Sequence, residues 1–357
     1  MAAYIGFQPS DFFSTKLYTG TGSSNAITGV GFQPDTTWIK DRDATQPHVL
    51  FDAVRGANKR LYPNTTAAQG TETQALMSFD SDGFTLGTWG DLNNTDDFVS
   101  WNWKAGTTTG LSGSTVTLEA YSINTTSGIG IYQYTDASPT GRVIAHGLGI
   151  APRFLMIKNL GMTTDWACYH RDISPSDLTQ SGDYFIRLNT NAARNDNSGY
   201  FDDTLTDATN ITVGADNPVG GSGQTLICYA FAPIQGYSFF GGYEGNGNAD
   251  GPFIHTGFQP AFVMLKEAVG GNAGGWFMYD DKRPSSTDGS TYNTNTDYLL
   301  ADTTAAEAQN YQIDFLSNGF KLRHSGGFVN GSGNDYIFAA FAKFPFVSSN
   351  SIPTTAR

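Results

Sequence analysis

Cysteine is almost missing from this 357-residue chain: Cys168 and Cys228 are the only two, too few for a disulfide-stapled framework. Both align with apolar positions of a later segment, Met278 and Phe338, and so read as buried free thiols rather than a bridge. Basic residues are scarce as well. Twenty Lys+Arg against 33 Asp+Glu leave a net charge of −13, and the few cations are scattered, which excludes the electrostatic footprint that nucleic acid requires. No apolar run approaches the roughly 18 residues of a membrane-spanning helix, and Met1-Ala2-Ala3-Tyr4-Ile5 has neither a basic nor an apolar leader region. The expectation is a soluble product of the cytosol, without membrane insertion. Sustained 3.6-residue periodicity is absent too. Thr303 to Gln309 is the best short helical candidate, and there are no heptads that would make a coiled-coil shaft.

Forty-two glycines, with abundant Thr, Asn and Ser and 13% aromatic residues, describe a turn-dense, all-β chain with enough apolar material for a core. One signal recurs three times: Gly-x-x-Pro, a short apolar strand, then a lysine nine residues after the glycine. It runs from Gly31 through Pro34 to Lys40, from Gly149 through Pro152 to Lys158, and from Gly257 through Pro260 to Lys266. A period of about 110 residues is too long for a solenoid unit and fits a small domain copied in tandem. Each copy begins on a tyrosine strand (Tyr18, Tyr134, Tyr243). A second strand follows the lysine, with Trp166 and Cys168 on one face in copy two, Trp276 and Met278 in copy three, and His48 to Phe51 as the counterpart in copy one. A third strand ends in Leu61, Leu188 and Leu300, and Asp82-Gly83 and Asn318-Gly319 mark hairpins. Asp207 to Ile211 replaces that hairpin in copy two. Closing strands run Phe98 to Trp103, Leu226 to Phe231 and Tyr336 to Phe341.

The chemistry-bearing residues are sparse. Glycoside hydrolysis needs two carboxyl groups about 5 to 9.5 Å apart, yet the five glutamates, Glu72, Glu119, Glu244, Glu267 and Glu307, are dispersed. Asp80, Asp82, Asp202, Asp203 and Asp207 fall in turns, where they cap backbone amides. The five histidines lack helical zinc spacing and read as surface or strand-end residues, and no Gly-x-Ser-x-Gly elbow occurs. No catalytic residue, metal site or cofactor is therefore assigned, and the chain reads as no enzyme; Asp80-x-Asp82-Gly83 is a faint calcium-loop likeness without the distal glutamate. A glycan site is the sharper candidate. Trp89 could stack on a pyranose while Asp91, Asn93, Asn94 and Asp96 meet its hydroxyls. Arg55, Lys59 and Arg60 are the one basic group, a candidate contact for an acidic neighbour or anionic polymer.

The stretches Tyr243 to Gly247, Gly257 to Val263, Ile313 to Arg323 and Tyr336 to Ala342, with Trp101 to Gly106 and Ile144 to Gly149, resemble a tailed-bacteriophage family of repeated lectin-like β-sandwich modules. The resemblance covers nearly the whole chain but rests on scaffold residues, and it carries no catalytic residues over. It implies an all-β fold of three tandem related β-sandwich (jelly-roll, lectin-like) domains with very little helix: a segment 1–10, copies at 11–105, 128–235 and 237–344, a linker 106–127 with a possible strand near Val116 to Tyr121, and a tail 345–357. Copies two and three abut through Pro233 to Tyr237, whereas the linker should let copy one move. The implied role is a virion surface protein, a tail fibre or appendage that attaches to host glycan; capsid or tail decoration is the alternative, and a glycan-degrading enzyme a minor one. Implied partners are other virion proteins and a homo-oligomer, a trimer favoured. Ile5 to Phe13 resembles the N-terminal attachment segments of such proteins, which makes Phe7, Phe12 and Phe13 candidate docking residues.

Overall fold

The computed structural model describes residues 6–137, 141–283 and 294–345. Among them the regular structure is nearly all strand, joined by turns and loops, with three four-residue α-helices, Gly90–Asn93, Ser198–Phe201 and Gly327–Asn330, and two single turns of 3-10 helix. The repeated signal has a backbone cause. Gly31, Gly149 and Gly257 hold φ of 94°, 73° and 82°, a left-handed conformation that costs only glycine little, and the proline three residues on leads into the lysine strand.

Each copy builds the same four-strand inner sheet. In copy one the opening strand Phe13–Thr19 pairs with the closing strand Asp97–Trp103, which pairs with the lysine strand Thr36–Asp41, which pairs with Val49–Asp52. Ile129–Thr135, Thr225–Phe231, Phe154–Asn159 and Ala167–His170 repeat that order in copy two; Ser238–Glu244, Asp335–Pro345, Phe258–Val269 and Phe277–Asp280 repeat it in copy three. The registers superpose: Trp38 faces Trp101, Met156 faces Tyr229, and Met264 faces Ala339. The next strand corrects the sequence alignment. Leu50 bridges Leu61, Cys168 pairs with Ile186 and Met278 with Leu299, so Leu61, Ile186 and Leu299 are the equivalent residues, not Leu188 and Leu300.

Alternation gives every inner sheet two buried faces. One packs on an outer sheet within its own copy: Ile39, Phe51, Phe84 and Phe98 in copy one, Tyr134, Ile157, Tyr169 and Ile211 in copy two, Leu265, Tyr279, Phe320 and Phe338 in copy three. The other face meets the other two copies. Trp38, Trp101, Phe154, Met156, Trp166, Phe262, Met264 and Trp276 belong to one continuous cluster drawn from all three. At its centre Trp103, Phe231 and Phe341, the last inward residues of the three closing strands, form a triangle with ring centroids 5.7 to 6.2 Å apart. Above it lies an apolar cavity of about 20 Å³, lined by all three copies and too apolar to hold water.

The ring of copies closes through repeated backbone bonds. The Gln69 N–H donates to Leu160 O, the Arg194 N–H to Ala268 O, and the Glu307 N–H to Arg42 O; each acceptor lies two residues beyond a signature lysine. Trp166 Nε1 donates to Tyr62 O and Trp276 Nε1 to Arg187 O, and His48, standing where the other copies have tryptophan, meets Leu300 O through Nε2 at 3.0 Å. These contacts correct two expectations. Thr303 to Gln309 is not a helix, because its backbone is drawn out to complete the seam with copy one. Copy one does not hang on a free linker either: Asp35 accepts from the Ala105 N–H and Ser122 Oγ, and Thr117–Asn124 adds a strand to the copy-two sheet beside Ile129–Thr135, as alternation near Val116 to Tyr121 suggested.

Candidate functional site

The direction of the strands sorts the molecule into two ends. Every opening strand starts beside the finish of its own closing strand: Phe13 opposite Trp103, Ile129 opposite Phe231, Ser238 opposite Phe341. The chain therefore enters and leaves each four-strand sheet at one end, where residues 6–12, Pro233 to Tyr237 and residue 345 lie; the link from copy one to copy two crosses to the opposite end, where Thr117 pairs with Thr135, and returns along Thr117–Asn124. The opposite end carries loops and the short helices Gly90–Asn93 and Gly327–Asn330. Gly20–Asn25 is tied to Asn93, Asp136 to Gln224, and Gly245 to Asn334.

The N-terminal aromatics are engaged at the link end. Phe13 is buried, stacked on Phe341 at 5.2 Å; Phe7 and Phe12 pack edge-on against each other at 4.9 Å and against Tyr237. This docking is within the chain. Residues 1–5 and 346–357, parts of the expected attachment segment and tail, lie outside the described residues.

At the loop end, the five residues read as a glycan site do not act together. Asn93 is buried and spent on its surroundings: its Oδ1 accepts from the Thr21 N–H and Asn25 Nδ2, and its Nδ2 donates to Ser23 O and Gly87 O. Asn330 does the same work in copy three, so this asparagine is a loop staple. Asn94 and Asp96 bond each other. Trp89 is half-buried with the Arg60 guanidinium 5.5 Å from its ring centroid, and burial raises the Asp91 carboxyl despite Arg60. The basic group also comes apart. Arg55 is buried against Asp52 at 2.5 Å, Lys59 reaches Thr71 Oγ1, and Arg60 lies 4.7 Å over Tyr62. One-dimensional proximity brought together three cations that face different surroundings.

Several of the buried ionisable groups belong to the seams. Lys40, Lys158 and Lys266 are fully buried, and desolvation lowers each to about 8. Lys158 Nζ donates to Thr66 O of copy one and Thr164 O of its own; Lys266 Nζ donates to Asn191 O of copy two and Gly274 O; Lys40 Nζ serves Asp41 O and Ala44 O. Lys158 and Lys266 thus gather carbonyls across the seams, while both partners of Lys40 lie in its own copy. His48, His146 and His170 are buried rather than on the surface, although all three stand at strand ends. Burial holds His170 down at about 4. Asp82 accepts from the Gly29 and Gly31 N–H groups and Asp80 from the Ser78 and Thr85 hydroxyls, so the faint calcium sequence spends these acids on its turn. Among the described residues no three His, Cys, Asp or Glu side chains gather as metal ligands. Cys168 and Cys228 are free and buried, with burial pushing both thiols up. No helix of the described residues is long and apolar enough to cross a membrane.

Fold and seams together define an all-β protein in which three copies of one sandwich-like unit share a core. A protein family described as Domain of unknown function (DUF7483) matches residues 8–345 in one span, and the chain belongs to it. That span takes in all three copies at once, in keeping with a ring none of them closes alone. No curated protein and no solved structure matches the chain.

Proposed function

We propose that the chain is a non-enzymatic bacteriophage virion surface protein, a tail-fibre or appendage component that contributes to attachment to host-surface glycan. The observation that carries this reading is the separation of the two ends: among the described residues the opening strands start and the closing strands finish at one, and the loops that Asn93 and Asn330 staple lie at the other. Such a body can be tethered by its backbone and still present three sets of loops outward. The lectin-like resemblance supports the same reading. The best-placed buried acids support a non-enzymatic role, because Asp52, Asp280 and Glu307 are each bound to arginine and are not free to exchange protons with a substrate.

Decoration of a capsid or tail is the second reading, favoured by the compact ring and by the lack of a shaft among the described residues. Antibodies against the 245–252 loop separate the two. Labelling of intact particles with block of adsorption is expected for an attachment protein; labelling without block points to decoration. Absence of the chain from purified particles overturns both.

A further inference from the structure

The three copies differ on the outer face of the strand that follows Val49–Asp52 and its equivalents. Register makes Arg60, Phe185 and Tyr298 one position, and Tyr62, Arg187 and Leu300 another on the same face. In copies one and two an arginine of this set lies on a ring: Arg60 is 4.7 Å from the Tyr62 centroid, and Arg187 is 4.8 Å from that of Phe185. Each guanidinium is an internal occupant of an aromatic surface. Copy three has no arginine at either position.

We propose that this arginine-free groove of copy three, formed by Tyr298, Tyr311, His324 and Phe328, binds an uncharged saccharide. Tyr311 is the hub, its ring centroid 5.6 Å from Tyr298, 4.6 Å from His324 and 5.8 Å from Phe328. Phe328 is 39% exposed and the other three are half-buried, so the rings are held from beneath yet reachable. Polar groups accompany them. His324 Nδ1 accepts from the Gly326 N–H at 2.8 Å, which leaves the proton on Nε2 as a donor. Neither that N–H nor the Tyr298 and Tyr311 hydroxyls bond other described residues. Aromatic faces with a few donors suit a sugar, whose ring offers C–H groups on one face and hydroxyls at its rim. The charge favours an uncharged one: Arg323, beside His324, is held by Asp314 at 2.5 Å. The His324 to Phe328 segment belongs to the loop end.

This deepens the attachment reading and rests on it for its biological meaning, but not for its chemistry. The test is titration of the full chain with methyl glycosides of glucose, galactose, mannose and N-acetylglucosamine, followed by ligand-observed NMR. Saturable binding of at least one is expected, weakened about tenfold or more by Tyr311→Ala and by Phe328→Ala. Tyr298→Arg should refill the groove from within and abolish binding, while the β-sheet circular dichroism and Tm stay close to the parent's. Met77→Ala, an exposed change in copy one, should leave binding unchanged. No binding to any of the four, or binding that survives all three groove substitutions, overturns the site. A protein partner bound there in place of sugars overturns it as well. Sugar binding by a chain that antibodies do not find on particles would keep the site and remove the virion role.

Discussion

Two seams of the ring use an acid, and the third uses a histidine. Between copies one and two, Asp52 accepts from Tyr229 Oη at 2.5 Å and from Arg55 Nε; between three and one, Asp280 accepts from Trp101 Nε1 at 2.9 Å and from Arg283 Nε. The equivalent residue of copy two is His170, as the pairings Thr36 to Asp52, Phe154 to His170 and Phe262 to Asp280 show. The register equivalent of Tyr229 and Trp101 in copy three is Ala339, which has no side-chain donor, and His170 Nε2 meets Phe338 O at 3.1 Å instead. The Asp172 N–H occupies His170 Nδ1, so Nε2 holds the proton and donates. Three residues on, where the other copies have arginine, copy two has Ile173, buried in the common core. Acid, arginine and donor change together into histidine, isoleucine and alanine. Each buried polar group must find its complement across a seam, so a repeat can diverge there only in matched sets.

The sharpest way to break the contrast is Asp52→Ala. It strands the Arg55 guanidinium without its carboxylate inside the core and should cost about 3–5 kcal/mol, read as a shift of the urea midpoint. His170→Ala removes no charge partner. It removes the bond to Phe338 O and the acceptor of the Asp172 N–H, and should cost about 1–3 kcal/mol.

Acid separates the seams in a second way. His170 sits at about 4 in the folded chain against about 6.5 unfolded, and burial lowers His48 in the same direction. Between those values the unfolded chain binds the additional proton, so stability falls as pH drops from about 6.5 to about 4. The His170 share is about 3 kcal/mol. Denaturation midpoints across this range should slope less in His170→Gln than in the parent, and equal slopes would contradict the assignment. The smallest effect is expected from transplanting the histidine set into the first seam: Asp52→His, Arg55→Ile and Tyr229→Ala together should recover much of the loss seen with Asp52→His alone, and additive losses would show that the sets are not matched.

Much of the fold was legible in the chain. Trp166 with Cys168, Trp276 with Met278, the closing strands and the Asp-Gly hairpin all follow from period-two alternation and turn chemistry, which are local. Alternation cannot say what a buried face meets. Trp38, Trp166 and Trp276 were readable as core, but not as the core of a ring, since the partners lie in other copies about 110 residues away in sequence. The signature lysines marked the repeat without revealing their burial for the same reason, their carbonyl partners being in the neighbouring copy or nearby in their own. Thr303 to Gln309 has helical composition, and the seam overrode it. The Trp89 group failed through crowding: Asn93 is needed by its own loop, and Arg60 already covers the ring. The copy-three groove had no linear trace, because Tyr298 and Tyr311 meet only through strand pairing around Thr294–Leu300 and Ala308–Leu316.

Differential scanning calorimetry of the full chain bears most directly on the shared core. A common interior with three closed seams predicts one transition whose calorimetric and van't Hoff enthalpies agree. Two or three resolved transitions, or a calorimetric enthalpy several times the van't Hoff value, would show that the copies unfold independently and would contradict the ring.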